Sequence, residues 1–218
     1  MRWWWRLSQQ MARFGANIFG KFRVFGLENI PPTGGVLLAS NHQSVLDPVL
    51  VAMVLPREMH FMARRTLFRN PIFGAIIVRY NAFAIERDTA DVKGVKEAIV
   101  RLQSGALLLV FPEGTRTGDG SIGPMKPGIG MLAERAAVPI VPVLIDGAYE
   151  VLQKGAKIPR LGRISIVFGK PLAPVYDKKN DGNRIYPDPP GVIELLERRG
   201  FHADLHGRMG NVRFEKYW

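Results

Sequence analysis

There is no cysteine in the 218 residues, which excludes disulfides, thiolate metal sites and a cysteine nucleophile. Histidine is scarce, with four copies, so a catalytic imidazole has few candidates. No apolar run approaches the roughly 20 residues of a bilayer-spanning helix. The N-terminal stretch lacks the unbroken apolar core and small-residue cleavage site of a secretory signal. Neither a phosphate loop closing on Gly-Lys-Ser/Thr nor a Gly-x-Ser-x-Gly nucleophile elbow occurs, and there is no internal repeat or coiled-coil heptad. Acidic residues are in short supply: 19 against 30 Lys and Arg, for a formal net charge of +11.

A surplus of that size points to polyanionic company, whether nucleic acid, anionic lipid or phosphorylated small molecules. The cations are spread along the chain, and no helix-turn-helix, zinc or RNA-binding pattern accompanies them, which argues against a nucleic-acid module. With 47% hydrophobic and 22% charged residues, the chain is long and apolar enough to bury a substantial core.

The first 25 residues carry Arg2, Arg6, Arg13, Lys21 and Arg23 and no acid. Trp4, Leu7, Met11, Phe14, Ile18, Phe22 and Phe25 recur at steps of three and four, with the polar residues opposite, and predict an amphipathic helix over residues 1–25 ahead of a main unit, 26–218. Three consecutive tryptophans beside arginines suit a membrane interface, where an indole is half wet. Packing on the protein's own core would use the same pattern.

From Pro31-Pro32-Thr33-Gly34-Gly35 onward, helical and extended patterns alternate. Strands are expected over 35–39, 59–63, 82–85, 106–111, 140–145 and 163–168. Helices are expected over 48–55, 70–78, 127–137 and 191–199, together with one capped by Asp88 whose apolar stripe is Val92, Val95, Ile99 and Leu102. The run Ala106–Phe111 is apolar throughout, as in a strand buried on both faces. The fold class expected is α/β, a mixed, mainly parallel β-sheet covered by helices. Residues 174–191, rich in Pro, Asp, Asn and Lys, read as loop. His202, Asp204 and His206 alternate in a polar stretch and, like His60, are read as ordinary polar residues rather than metal ligands.

Two stretches carry chemistry. In Asn41-His42-Gln43-Ser44-Val45-Leu46-Asp47 an apolar strand runs into a turn and then into Asp47-Pro48, a favoured helix start. His42 can take a proton and Asp47 can fix its tautomer; capping of the helix is the alternative role for Asp47. A His–Asp pair without a serine is a hydrolytic triad lacking its nucleophile, which suggests that the substrate brings its own hydroxyl. The second stretch, Phe111-Pro112-Glu113-Gly114-Thr115-Arg116, leaves a buried strand for a Gly- and Pro-rich loop. Functional groups of an α/β sheet gather at such carboxyl ends. Loop 112–127, with Lys126, is read as a binding loop. Gly118-Asp119-Gly120-Ser121-Ile122-Gly123 has the spacing of a dinucleotide fingerprint, but Pro124 and Pro127 stand where its helix would begin.

Asn41-His42 with Asp47, followed some seventy residues later by Phe-Pro-Glu-Gly-Thr-Arg, resembles the glycerolipid acyltransferases, whose best-known members are the 1-acylglycerol-3-phosphate acyltransferases. The resemblance covers about residues 25 to 170. It implies a glycerol-3-phosphate acyltransferase-like fold, with His42 and Asp47 catalytic and Glu113, Gly114, Thr115 and Arg116 binding the acceptor. It further implies that Arg87 contacts the acceptor's phosphate and that Val138–Val143 form a fourth, apolar motif. The Arg87 motif departs from the family pattern, with Asn81 for glycine and Ala84 for phenylalanine. Arg64-Arg65-Thr66-Leu67 stands where the family often has Lys-x-Glu-Leu.

The expected function is transfer of a fatty acyl group to the free hydroxyl of 1-acyl-glycerol-3-phosphate, giving phosphatidic acid. The donor would be an acyl thioester, acyl-CoA or acyl carrier protein, with no cofactor and no metal. The expected partners are a lysophospholipid acceptor and an anionic membrane surface, with no nucleic acid, and the expected location is peripheral, on the cytoplasmic face of the cell membrane. The alternatives are acylation of another lysolipid or lipid alcohol, such as a lyso-ornithine lipid, and non-catalytic phospholipid binding.

Overall fold

Successive residues of the apolar run in β5 (Leu107–Val110) point to opposite sides of a sheet and meet two different cores. Leu107 and Leu109 pack with Val36 and Leu38 of β2 (Val36–Ser40) beneath α1 (Trp3–Phe19) and α2 (Asp47–Ala52). Leu108 and Val110 pack with Leu37 against Ala98 and Leu102 of α4 (Val92–Gln103) and Leu132 of α5 (Gly128–Ala136). Helices on both faces explain why these strands are apolar without alternation. The structure, a computed structural model, describes residues 2–86, 91–124, 128–156 and 158–172.

The sheet has seven strands in the order β1-β7-β6-β2-β5-β3-β4. The five from β6 (Ile140–Asp146) through β2, β5 and β3 (Met59–Arg64) to β4 (Ala82–Ile85) are mutually parallel. The seventh strand, β7 (Gly162–Phe168), runs antiparallel to β6, and β1 (Gly20–Phe25) lies parallel to β7 at the edge. The sheet is thus mixed and mainly parallel, as expected. From β2 the chain moves through α2 to β3 on one side; from β5 it crosses back through α5 to β6 on the other. The crevice outside the carboxyl ends of β2 and β5 is therefore a topological switch point, where open α/β sheets bind ligands.

The helix expected over residues 1–25 ends at Phe19, and residues 20–25 are strand. Phe22 and Val24 pack on the core from the sheet, so their spacing is the period of two of a strand, which a continued helical pattern concealed. Within α1 the apolar residues divide between two faces. Trp5 is 1% exposed in the core, and Ala12 and Ala16 pack beside it. Trp3, Leu7, Met11, Phe14 and Ile18 are exposed. Gln9 Nε2 donates to the carbonyls of Ala52 and Leu55, Arg13 Nε to that of Met53, and Arg2 forms an ion pair with Glu58. The exposed stripe keeps the expected Leu7, Met11, Phe14 and Ile18 and differs only at its first position, Trp3 in place of Trp4, because Trp4 packs against the core and Tyr80.

Helix α4 is capped by Asp91, whose carboxylate accepts from Gly94 N–H at 2.9 Å, rather than by Asp88. The four-residue helix α6 (Ala148–Val151) follows β6 and has no sequence signal of its own. Arg87, Asp88, Lys126, the loop 174–191, the helix 191–199, and His202, Asp204 and His206 lie outside the described residues.

Candidate active site

The turn between β2 and α2 is held from three directions. Asn41 exchanges two hydrogen bonds with the backbone of Ile145, its Nδ2 donating to the carbonyl and its Oδ1 accepting from the N–H, both at 2.8 Å. Gln43 Oε1 accepts from the N–H groups of Ala148 and Tyr149 at the start of α6. Ser44 Oγ donates to the carbonyl of Leu152 at 2.8 Å. Each of these side chains is buried. They use their polar atoms to fix a segment that belongs to no ladder, since buried polar groups need partners. The sequence marked the motif, but neither the turn nor its spacing revealed that three of its members anchor it to β6 and α6, elements about a hundred residues away.

Within this frame His42 Nδ1 lies 2.8 Å from Asp47 Oδ2. The same oxygen accepts from the N–H groups of Gln43 and Ser44 at 2.7 and 2.8 Å. Asp47 is the first residue of α2 and makes no capping bond to that helix. Its carboxylate, with 0% exposure, instead closes the turn behind it and orients the imidazole. A carboxylate at Nδ1 selects the tautomer with the proton on that nitrogen and leaves the Nε2 lone pair for a substrate. The ring is stacked on Phe111, with centroids 3.8 Å apart and planes at 13°, which restricts its rotation.

Glu113 is buried, and both of its oxygens go to backbone donors. Oε1 accepts from His42 N–H at 2.8 Å and Oε2 from Gly123 N–H at 3.0 Å. Thr117 N–H donates in turn to the carbonyl of His42 at 2.8 Å. Burial raises the Glu113 pKa above the ordinary glutamate value, against the lowering effect of these backbone donors. Glu113 was expected on the acceptor; in the structure it ties the β5 loop to the backbone of His42. Gly114 turns the chain at φ 69°, in the left-handed region open to glycine, and its N–H donates to Phe111. Past this turn, Thr115 and Arg116 line the same cavity as His42.

That cavity has a volume of about 780 Å³, within the range of small-molecule sites. Its walls are chiefly apolar: Ala12 of α1, Val49 of α2 and Met53 just past its end, Phe61 of β3, and Phe73 and Ile77 of α3 (Pro71–Arg79). Arg64 and Lys154 join Arg116 as its cationic lining. Lys154 carries no motif in the sequence and is brought here only by the fold. Asn81, which stands where the resemblance leads one to expect glycine, has φ 63°; asparagine is among the few side chains that tolerate this conformation, so the turn is kept. Among the described residues no group of three or more His, Asp or Glu is placed to hold a metal ion. No described helix is long and apolar enough to cross a membrane.

The 1-acyl-sn-glycerol-3-phosphate acyltransferase of Bacillus subtilis is 29% identical over 154 residues, 70% of this chain and 74% of that protein. The enzyme of the same name from Pseudomonas aeruginosa is 31% identical over 89% of this chain and 71% of its own length. The chain spans about half the length of a chloroplast relative from Brassica napus, to which it is 30% identical. The crystal structure of the 1-acyl-sn-glycerophosphate (LPA) acyltransferase from Thermotoga maritima superposes with a TM-score of 0.68 at 26% identity, covering 89% of this chain and 75% of that one. Residues 21–146 match the profile of the Acyltransferase family, and the chain belongs to that family.

Proposed function

We propose that this protein transfers a fatty acyl group from an acyl thioester, acyl-CoA or acyl carrier protein, to the free hydroxyl of 1-acyl-glycerol-3-phosphate, giving phosphatidic acid. The observation that carries the reading is a His42–Asp47 pair with its free ring nitrogen at the wall of a large, mostly apolar cavity. Mere lipid binding needs no such pair. Ser44, the serine of the motif, is fully buried and donates to Leu152, so it cannot serve as the nucleophile.

In this mechanism His42 Nε2 accepts the proton of the acceptor hydroxyl as that oxygen attacks the thioester carbonyl carbon. Asp47 stabilises the imidazolium that forms. When the tetrahedral intermediate collapses, the carbon–sulfur bond breaks and the thiolate takes the proton from His42. No acyl-enzyme forms, and none of these steps calls for a metal or a cofactor. The apolar cavity wall suits an acyl chain, and the guanidinium of Arg116 suits the acceptor's phosphate. Arg87, one residue beyond Glu86 at the end of β4, is assigned to the same phosphate by resemblance. Glu113 and Gly114 shape the loop that presents Thr115 and Arg116.

Both substrates carry acyl chains, so the site must meet a bilayer. The exposed stripe Trp3, Leu7, Met11, Phe14 and Ile18, with Arg6 and Arg13 also exposed on the same helix, supports peripheral attachment of α1 to an anionic surface. On this reading the protein works at the cytoplasmic face of the cell membrane.

The test is to incubate the purified protein with acyl-CoA or acyl carrier protein thioesters and a panel of lysolipids, and to identify products by mass spectrometry. Phosphatidic acid from lysophosphatidic acid is expected. Transfer to a different acceptor alone would overturn the substrate assignment. Absence of transfer to any of them, with lipid binding retained, would leave a binding protein.

A further inference from the structure

Helix α3 is more apolar in sequence than α1, α4 or α5, yet it buries only Gly74 and Ile77. Ile72 is 75% exposed and Val78 56%, and the only polar side chain on the helix is that of Arg79, its last residue. A short helix at a water-facing surface ordinarily turns polar residues outward. This one turns isoleucine, alanine and valine outward, and such a patch marks a contact surface. The 3-10 turn leading into it, Arg65–Arg69, exposes Leu67 in the same manner.

Two further observations say what covers this face. Between residues 59 and 85 the chain has Arg64, Arg65, Arg69 and Arg79 and neither aspartate nor glutamate; Arg65 is ion-paired with Glu86, and the exposed Arg64, Arg69 and Arg79 give the apolar face its basic border. A second copy docked on the same face across a twofold axis would set these arginines against their equivalents, which is unfavourable. An anionic lipid surface meets both features, its headgroups facing the arginines and its acyl layer the isoleucine and valine. The helix also adjoins the cavity that holds His42: Phe73 and Ile76 of α3 and Tyr80, which caps its C-terminal end, line it, as Trp5 and Ala12 do from α1. The two helices meet where Tyr80 packs edge-on against Trp4 at 5.2 Å and Arg79 lies 4.5 Å over the Trp4 ring.

We propose that α3 is a second lipid-inserting element, whose Ile72 and Val78 enter the acyl region of an anionic bilayer so that the cavity between α1 and α3 faces lipid. The proposal rests on the acyltransfer reading for its purpose, since a lysophospholipid acceptor could then move sideways from the bilayer into the cavity. Ile72 and Val78 are the informative positions because neither lines that cavity.

The experiment compares full-length wild type with Ile72→Ser/Val78→Ser, and with Ile72→Ser alone in case the double variant folds poorly. Co-sedimentation with equimolar phosphatidylglycerol and phosphatidylcholine vesicles is read beside thermal melting, size in solution and turnover of short-chain substrates kept below their micelle concentration. Vesicle partitioning is expected to fall about tenfold or more in the double variant, and turnover of vesicle-embedded acceptor to fall with it. Melting and turnover of soluble substrate should be unchanged. Unaltered partitioning would overturn the proposal, as would a change from dimer to monomer with partitioning unaltered, which would make the face a contact between copies. Loss of partitioning in a protein whose wild type transfers no acyl group would support the role of α3 and overturn the acyltransfer reading instead.

Discussion

The backbone N–H of His42 donates to Oε1 of Glu113 at 2.8 Å, while Oε2 of the same carboxylate accepts from Gly123. Two loops that meet only through the fold are thereby held in one geometry. Glutamine offers a single acceptor and would aim its amide hydrogens at one of two N–H donors. An unsatisfied buried donor costs about 1–3 kcal/mol. Glu113→Gln is therefore expected to lower kcat on the order of tenfold to a hundredfold with little change in the acceptor's KM. Steady-state kinetics on both substrates check this; a rise confined to the acceptor's KM would return Glu113 to a substrate-binding role.

His42 and Asp47 separate by stability. His42→Ala removes a partly exposed ring and should leave the melting temperature nearly intact while lowering turnover by at least about a hundredfold. Asp47→Asn also disturbs the bonds that Oδ2 receives from Gln43 and Ser44. It should therefore lose activity and a further 1–3 kcal/mol, roughly, of folding stability, read by urea denaturation.

Arg116 lines the cavity beside His42. Arg116→Lys keeps the charge and loses the bidentate fork, so the acceptor's KM should rise more than the donor's. If only the donor's KM moves, Arg116 serves the thioester half of the site.

The two faces of α1 predict opposite phenotypes. Trp5→Ala empties a core position and should cost about 3–5 kcal/mol. Leu7→Ser/Phe14→Ser alters exposed residues, leaving the melting transition in place and weakening association with anionic vesicles several-fold. High salt should weaken but not abolish binding of the wild type, because it screens only the charge contribution.

Burial, with the nearby Glu150 charge, pushes the Asp146 pKa up from 3.8 to about 6. The folded chain thus holds this proton more tightly than the unfolded chain, a stabilisation complete below about pH 4 and lost as pH rises through about 6. Asp146→Asn should match wild type near pH 4 and be more stable by up to about 3 kcal/mol near pH 7.5. Urea midpoints across that range measure the difference.

The alternation of apolar runs with capped, periodic segments was enough to specify β2 through β7 as strands within a residue or two, because each is largely apolar and several begin or end beside Gly, Pro or Asp. It was also enough to single out His42, Asp47 and the Glu113–Arg116 loop, whose residue types are costly to bury without a purpose. Periodicity failed where a strand followed a helix without a break: Gly20–Phe25 continued the helical spacing of α1, and only pairing with β7, some 140 residues on, made it a strand. The double-sided character of α1, the hold of Asn41, Gln43 and Ser44 on β6 and α6, the diversion of Glu113 to the backbone of His42, and the arrival of Lys154 at the cavity were all decided by tertiary structure. Each depends on which distant groups a side chain meets once the sheet is assembled, and local spacing carries no record of that.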